Sequence, residues 1–367
     1  MNKNSVDKDE LEMTGAFVSF HNSWKGEAWM GDLQKKFDET MGKDNRILST
    51  VKLNDNAQTV LYNNADINRL FAGVLDSYDD LPYRPDTAFD FCWREFEILM
   101  EMFGGYFNWK ATESRSKKFE DICSKIEEYF AVNSKMAETM KQLNSHCPAS
   151  AIRFMLQRLV DTDNLYEPEE DITELKDSLI VEDQYDSVSK RVSTTLGDFY
   201  ELFCNKYYKR ETIDKGTANR PRPTIVNTDL SADNQYKATR LFKNYLIEGK
   251  SLSIEMLSKD SNGDDVIEYK AYTYSTSKIA ELIISGILYT SRCYRFHGDY
   301  FSPFKSNLSN LTRYYEYYYF LIYTYAMFWY LLYIYTDING IEKFFTLDAV
   351  NECVERCLKR LDKLPNT

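Results

Sequence analysis

Arg292 and His297 stand five apart in the run Ser291-Arg292-Cys293-Tyr294-Arg295-Phe296-His297-Gly298. Apolar residues recur ahead of them at Ile279, Leu282, Ile283, Ile284, Ile287 and Leu288, with Ser275 or Ser277 as the cap. That spacing predicts a helix ending at Gly298. The pair then falls within about one and a half turns, near one face of the C-terminal end. A His titrates near neutrality and is the usual proton donor or acceptor in transesterification. An Arg is always charged and grips phosphate bidentately. Together they meet the needs of RNA cleavage without a metal. One group moves the 2′-hydroxyl or leaving-group proton, and the other stabilises charge on a phosphorane-like transition state. A mechanism with two proton transfers wants a second copy of the pair, which a symmetric dimer with its axis beside the motif supplies.

Other residues can serve this pair. Arg295 lies one turn after Arg292, and Tyr300 follows the helix stop; both are placed to help hold RNA or the His. Glu95 and Glu97 lie on a helix rich in aromatics, and an inward carboxylate in a bundle needs a partner such as His297 or Arg292. The densest positive patch is a Pro-containing loop with Lys206, Lys209, Arg210, Lys215, Arg220 and Arg222, which can contact RNA phosphates or simply be a surface loop. His21 sits in an ordinary context. His146 precedes Cys147-Pro148, but no orienting partner for Cys–His catalysis can be named. The acidic run 161–171 lacks the spaced ligands and turn Gly of a calcium loop and reads as a solvated face. No Gly-rich phosphate loop and no CxxC pair occur, and three His cannot build a zinc-type spacing, so no metal and no cofactor is expected.

The elements that must position these residues are mostly helices. Only 8 Pro and 14 Gly interrupt 367 residues. In the lead-in, 1–80, Ala16–Phe20 and Ile47–Leu53 read as short strands, and Trp24–Met41 and Asp66–Leu75 as helices. Thr87 can cap a helix through Phe89, Cys92, Trp93, Phe96, Leu99, Met100 and Phe103, with Gly104-Gly105 as its stop. Lys117–Leu143, Ala149–Val160, Val192–Tyr208 and Gln235–Ile247 carry further helical patterns, and 161–190 reads as a solvated connection. Ser251–Leu257 and Val266–Tyr274 alternate around Ser261-Asn262-Gly263-Asp264, a hairpin signal. A Tyr-rich helix over Leu308–Tyr335 and an amphipathic helix over Leu347–Leu361 close the chain.

Composition bounds the function. Hydrophobic residues make up 43% and charged residues 28%, enough to bury a core. The net charge of −12 argues against a broad phosphate-binding surface and against anionic membranes, though not against a local basic groove. Seven Cys suit a reducing, cytoplasmic setting. Met1–Glu12 is polar, without the apolar core of a signal peptide. Tyr314–Tyr335 is long enough to cross a bilayer, yet Glu316 and its many Tyr make it a core or interface helix, so no membrane is expected.

The run from Arg292 to His297, with Gly298 behind and Ile283–Tyr289 ahead, resembles the Arg-x4–6-His signature of the HEPN superfamily (higher eukaryotes and prokaryotes nucleotide-binding). Cys293 stands where family members often carry a polar residue, frequently Asn. The helix Asp90-Phe91-Cys92-Trp93-Arg94-Glu95-Phe96-Glu97 is similar to an opening helix of such bundles, where an aromatic and an acidic residue face the motif helix. A bare Arg-x4-His pair is common, so this setting carries the resemblance. The resemblance implies a mainly α fold: a HEPN-like helical bundle with an insertion, beside the small β-hairpin and the mixed N-terminal extension. The domain would span 81–345, with the insertion at about 146–274, after the extension 1–80 and before the C-terminal helix 346–367. It also implies a metal-independent endoribonuclease, with Arg292 and His297 catalytic in a composite homodimer site and no cofactor. Family members frequently serve as toxins or in anti-phage defence, under an inhibitory or regulatory protein partner. The other reading is a non-catalytic HEPN-like module that binds a protein or nucleotide.

Overall fold

Sparse Gly and Pro leave long stretches free to close i to i−4 hydrogen bonds, and the protein is mainly helical. A computed structural model describes residues 31–42, 46–164, 188–207, 210–213, 222–225, 232–249, 252–259, 265–296, 304 and 310–366. The first elements are α1 (Asp32–Met41), α2 (Ala57–Asn63), α3 (Ala65–Asp79), α4 (Pro85–Met102), the short α5 (Gly104–Phe107), α6 (Arg115–Phe130), α7 (Ser134–Ser145) and α8 (Ala149–Asn164). After them come α9 (Val188–Leu196), α10 (Asp198–Tyr207), an antiparallel pair β1 (Arg210–Ile213) and β2 (Arg222–Ile225), and α11 (Ala232–Leu241) running into a π-helical turn. A second antiparallel pair, β3 (Leu252–Lys259) and β4 (Asp265–Tyr272), aligns Leu252 with Tyr272. The chain ends with α12 (Thr276–Leu282), a second π-helical turn (Ile283–Leu288), α13 (Tyr289–Phe296), α14 (Leu311–Ile338) and α15 (Leu347–Leu361).

The 28-residue α14 is the axis of the molecule, about 42 Å long. It is buried on all sides from Tyr314 to Leu332, as a helix apolar all round must be. It packs chiefly on α4 and α15, and also on α6 and α1. Its tyrosines would strand their hydroxyls in the core unless each found an acceptor. Tyr318 donates to the carbonyl of Pro82 (2.7 Å), Tyr323 to Asn144 Oδ1 (2.7 Å) and Tyr330 to Asn351 Oδ1 (2.7 Å). These three tyrosines therefore fasten surrounding loops and helices to the central rod, whereas the buried Tyr319 hydroxyl has no hydrogen-bond acceptor among the described residues. The buried Glu316 takes a hydrogen bond from Arg313 (2.7 Å), and burial pushes its carboxyl up. Among the described residues no helix is long and apolar enough to cross a membrane.

Several expected elements come out differently, each for a local reason. Ile47–Leu53 forms no strand. The N–H groups of Ser49 and Val51 donate instead to Cys357 Sγ (3.1 Å) and Tyr325 Oη (3.3 Å), and only Leu53 bridges to Phe345. The helix expected from Thr87 begins at Pro85, which suits a first-turn position, so Thr87 lies inside it. That helix ends at Met102, just before Gly104-Gly105 as expected, but one separate short turn follows, ended by Asn108 at φ 56°. Lys117–Leu143 is two helices, because Asn133 leaves the first and caps the second through Met136 N. Val192–Tyr208 breaks at Gly197, whose φ of +55° favours Gly. The basic stretch 206–222 is not a continuous loop: Lys206 lies in the last turn of α10, and Arg210 and Arg222 lie on paired strands. The expected strand Ala16–Phe20, the expected helix before residue 31 and most of the connection 161–190 lie outside the described residues.

Candidate functional site

Ser275 caps α12 by accepting from Lys278 N (3.2 Å), and the chain then runs through Arg292 to Phe296. This run is not a uniform α-helix. At Ile283–Leu288 it loosens to i→i+5 bonding, with Tyr289 N–H bonded to Ile284 O. Two features hold the wide turn. Gly286 lets α8 and α9 approach, since a Cβ there would stand 2.9 Å from Met155 Sδ and 3.1 Å from Val192 Cγ2. The buried Arg191 of α9 donates from Nε to Ser285 O (2.9 Å) and from Nη2 to Thr290 Oγ1 (3.0 Å). Its guanidinium also lies 4.7 Å from the Tyr289 ring. Together these contacts fix the roll of α13 and decide where Arg292 points.

Arg292 points toward α4. Its Nη2 stands 3.5 Å from Glu97 Oε2, and the other oxygen of that carboxylate, Oε1, faces Arg115 Nη1 of α6 at 3.7 Å. Arg292 and Glu97 side chains are 29% and 14% exposed, so the ion pair is partly shielded from water but reachable. Beneath it, the Trp93 ring stacks on Tyr289 (6.2 Å between centroids, 26°), and Phe119 closes edge-on (5.7 Å). The opposite face of α13 is sealed. Tyr294 accepts from Arg158 Nη1 (3.1 Å) and takes that guanidinium over its ring at 4.2 Å. Burial pushes the Cys293 thiol up, and the nearby Arg191 and Arg292 only partly offset this.

A cavity of about 320 Å³ opens beside Arg292, lined also by Thr87, Asp90, Phe91, Trp93 and Arg94 of α4. Its size falls in the range of small-ligand pockets, roughly 300–1,000 Å³. Arg94 lies over the Phe91 ring at 5.3 Å. Trp93 is 1% exposed, and its indole N–H finds no acceptor in the protein. The arrangement sets two guanidinium groups, Arg292 and Arg94, and the carboxyl group of Asp90 beside aromatic surface for a ring.

The two acids considered for the motif helix separate here. Glu97 faces Arg292, whereas Glu95 is turned to α3. Glu95 takes Arg94 Nε at 2.8 Å and fills the space above Gly73, where a Cβ would stand 2.2 Å from Glu95 Cδ. Of Arg295 only the backbone in α13 is described, and His297 and Tyr300 lie outside the described residues. Lys206 lies on α10. Arg210 opposes Ile225 and Arg222 opposes Ile213 across the β1–β2 pair; Lys209, Lys215 and Arg220 lie outside the described residues.

Other groups weighed from the sequence have settled roles. His146 is held by Gln142 O (2.8 Å) and Asp362 Oδ1 (3.2 Å), and burial pushes the Cys147 thiol up to about 12, far from a thiolate. Among the described residues no three acids, His or Cys gather in a way that could hold a metal ion. Arg191 does not stand out in the sequence as a site residue, although its spacing with Val188, Val192 and Thr195 sets it on the apolar face of α9. Nor do Asp90, Phe91 and Arg94 stand out in the sequence as cavity walls. Set against models of protein families, curated proteins and solved structures, the chain has no match.

Proposed function

We propose that this chain is a metal-independent endoribonuclease of HEPN type, acting as a toxin or anti-phage effector at a composite homodimer site. The observation that supports it is the setting of Arg292. It sits on the last turns of the motif helix, beside a ligand-sized cavity and held by an acid of an aromatic-rich helix. In this reading Arg292 binds the scissile phosphate and stabilises the charge that grows on it. His297 moves the proton of the 2′-hydroxyl or of the leaving oxygen. Glu97 holds Arg292 in place between turnovers, and an RNA phosphate takes its position on binding. Arg295 and Tyr300 assist, and Lys206, Lys209, Arg210, Lys215, Arg220 and Arg222 receive the RNA backbone. The helical bundle is split, with its opening helices near 86–143 and its closing helices near 275–336. A regulatory protein partner restrains the activity.

The test is expression of wild type and His297→Ala side by side, scoring growth and RNA integrity. Growth arrest with fragmented RNA is expected for wild type alone. Equal fragmentation in both sinks the proposal. A second reading has its own support: with a net charge of −12 and Arg292 already engaged by Glu97, the chain also suits a non-catalytic binding module. Purified protein that leaves RNA intact yet copurifies stoichiometrically with one protein favours that reading.

A further inference from the structure

Thr87, Asp90, Phe91 and Arg94 recur at helical spacing and form one stripe along α4, which Glu97 extends toward Arg292. The stripe, Trp93 and Arg292 wall the cavity of about 320 Å³. Its cations are already engaged. Arg94 donates to Glu95 Oε1 at 2.8 Å, and Arg292 stands 3.5 Å from Glu97. With the Asp90 carboxyl on the same wall, the cavity has little positive charge left over for a free anion. It suits an uncharged planar ring instead. Phe91 is half-buried and Arg94 lies over its ring at 5.3 Å, and nucleobases stack on aromatic rings and on guanidinium planes. Trp93 is ringed by Phe89, Phe96, Phe119 and Tyr289, and among the described residues its buried indole N–H meets no acceptor. A buried donor of this kind points to an acceptor from outside the chain.

We propose that this cavity holds the guanine base of the RNA nucleotide whose 3′-phosphate is cut. The inference rests on the reading of Arg292 as the phosphate-binding group and names the base which that reading leaves open. The attacking 2′-hydroxyl and the scissile phosphate belong to one nucleotide, so holding its base places both reacting groups. Guanine presents a carbonyl, O6, beside two donor groups, N1–H and the 2-amino group. The donors match the two oxygens of the Asp90 carboxylate, which has about four lone-pair sites and can take them beside any bond within the protein. O6 is the acceptor for Trp93 or Thr87. Adenine has no carbonyl, and uracil and cytosine each offer the carboxylate a single donor group. Because the pairing edge of the base is used, the guanine must be unpaired in the RNA.

The test titrates the full chain with 3′-GMP, 3′-AMP, 3′-UMP and 3′-CMP by calorimetry and, separately, maps the cut sites in a mixed-sequence RNA. 3′-GMP is expected to bind about tenfold tighter than the other three. RNA fragments are expected to end in guanosine 2′,3′-cyclic phosphate and to come from unpaired stretches. Asp90→Asn keeps the size of the side chain and is expected to erase the preference for guanine. Phe91→Ala, a second variant on the cavity wall, is expected to weaken 3′-GMP binding about tenfold through lost stacking. Ile98→Ala, exposed on α4 and outside the cavity, is expected to change neither binding nor preference. No binding of 3′-GMP at about 1 mM overturns the proposal. So does binding or cutting without preference for guanine, or a preference that survives both Asp90→Asn and Phe91→Ala. Preferential 3′-GMP binding by a chain that leaves RNA intact upholds guanine recognition and removes the catalytic reading. Cleavage at all four bases alike does the reverse.

Discussion

Replacing Gly286 by Ala probes whether the π-helical turn is held by packing or merely tolerated. A methyl at this position would stand 2.9 Å from Met155 Sδ and 3.1 Å from Val192 Cγ2, closer than ordinary contact. Val192 yields little, and Met155, though flexible, has little room in a closed core. Both are 0% exposed, and Val192 is β-branched and stiff. Two effects compete. Gly→Ala in a helix ordinarily gains about 0.5–1 kcal/mol in backbone entropy. Forcing an extra methyl into a filled core costs about 1–3 kcal/mol. The crowding should win, for a net loss of about 1 kcal/mol. Urea unfolding should show a lower midpoint at unchanged slope. Met155→Ala alone leaves a cavity, at a cost of about 2–5 kcal/mol. With Gly286→Ala added, the new methyl enters that space, so the double variant should be more stable than Met155→Ala alone. A raised midpoint for Gly286→Ala, or simple additivity in the double variant, refutes the packing argument.

Three further outcomes are expected. Tyr330→Phe leaves the fully buried Asn351 Oδ1 without its 2.7 Å donor and should cost about 1–3 kcal/mol by thermal or urea unfolding; a neutral change would mean that water replaces the hydroxyl. The Tyr129 hydroxyl, and then Lys343, hold the Asp337 carboxyl below the ordinary Asp range. Its stabilisation is therefore present above the unfolded value of about 3.9 and lost as pH falls through the lower folded value. Asp337 is half exposed, so Asp337→Asn should lower stability at pH 7 by under about 1 kcal/mol after screening, and the gap should close in acid; a gap that widens in acid contradicts the assignment. Glu97→Gln should change the melting temperature little, because its ion pairs are long, yet lower RNA cleavage about tenfold by loosening Arg292. Unchanged cleavage would remove Glu97 from the site.

The apolar spacing of Leu347–Leu361 and the Ser275 cap were legible because local chemistry alone sets them. The central helix was legible for a similar reason: no residue from Leu311 to Ile338 breaks a helix. What stayed hidden depends on partners distant in sequence. Segment 47–53 has strand-like residues, but its N–H groups are claimed by Cys357 and Tyr325, some 300 and 270 positions away. The π-helical turn depends on Arg191 and on the space over Gly286, neither visible from the run Ile279–Leu288 itself. At the site, residue types pointed to Arg292 and to an acid on the Trp93 helix. Glu95 and Glu97 lie on that helix with similar local chemistry, and only its roll against α3 and α13 separates them. Asp90, Phe91 and Arg94 emerge as cavity walls for the same reason, since a cavity belongs to the packing of two helices and not to either one.

The central claim is tested most directly by incubating purified wild type, Arg292→Ala and His297→Ala with structured RNA in a metal chelator and resolving the products. The account predicts fragments carrying 2′,3′-cyclic phosphate from wild type only, with both variants folded and inactive. Cleavage that persists in either variant, or that appears only when magnesium is restored, contradicts it.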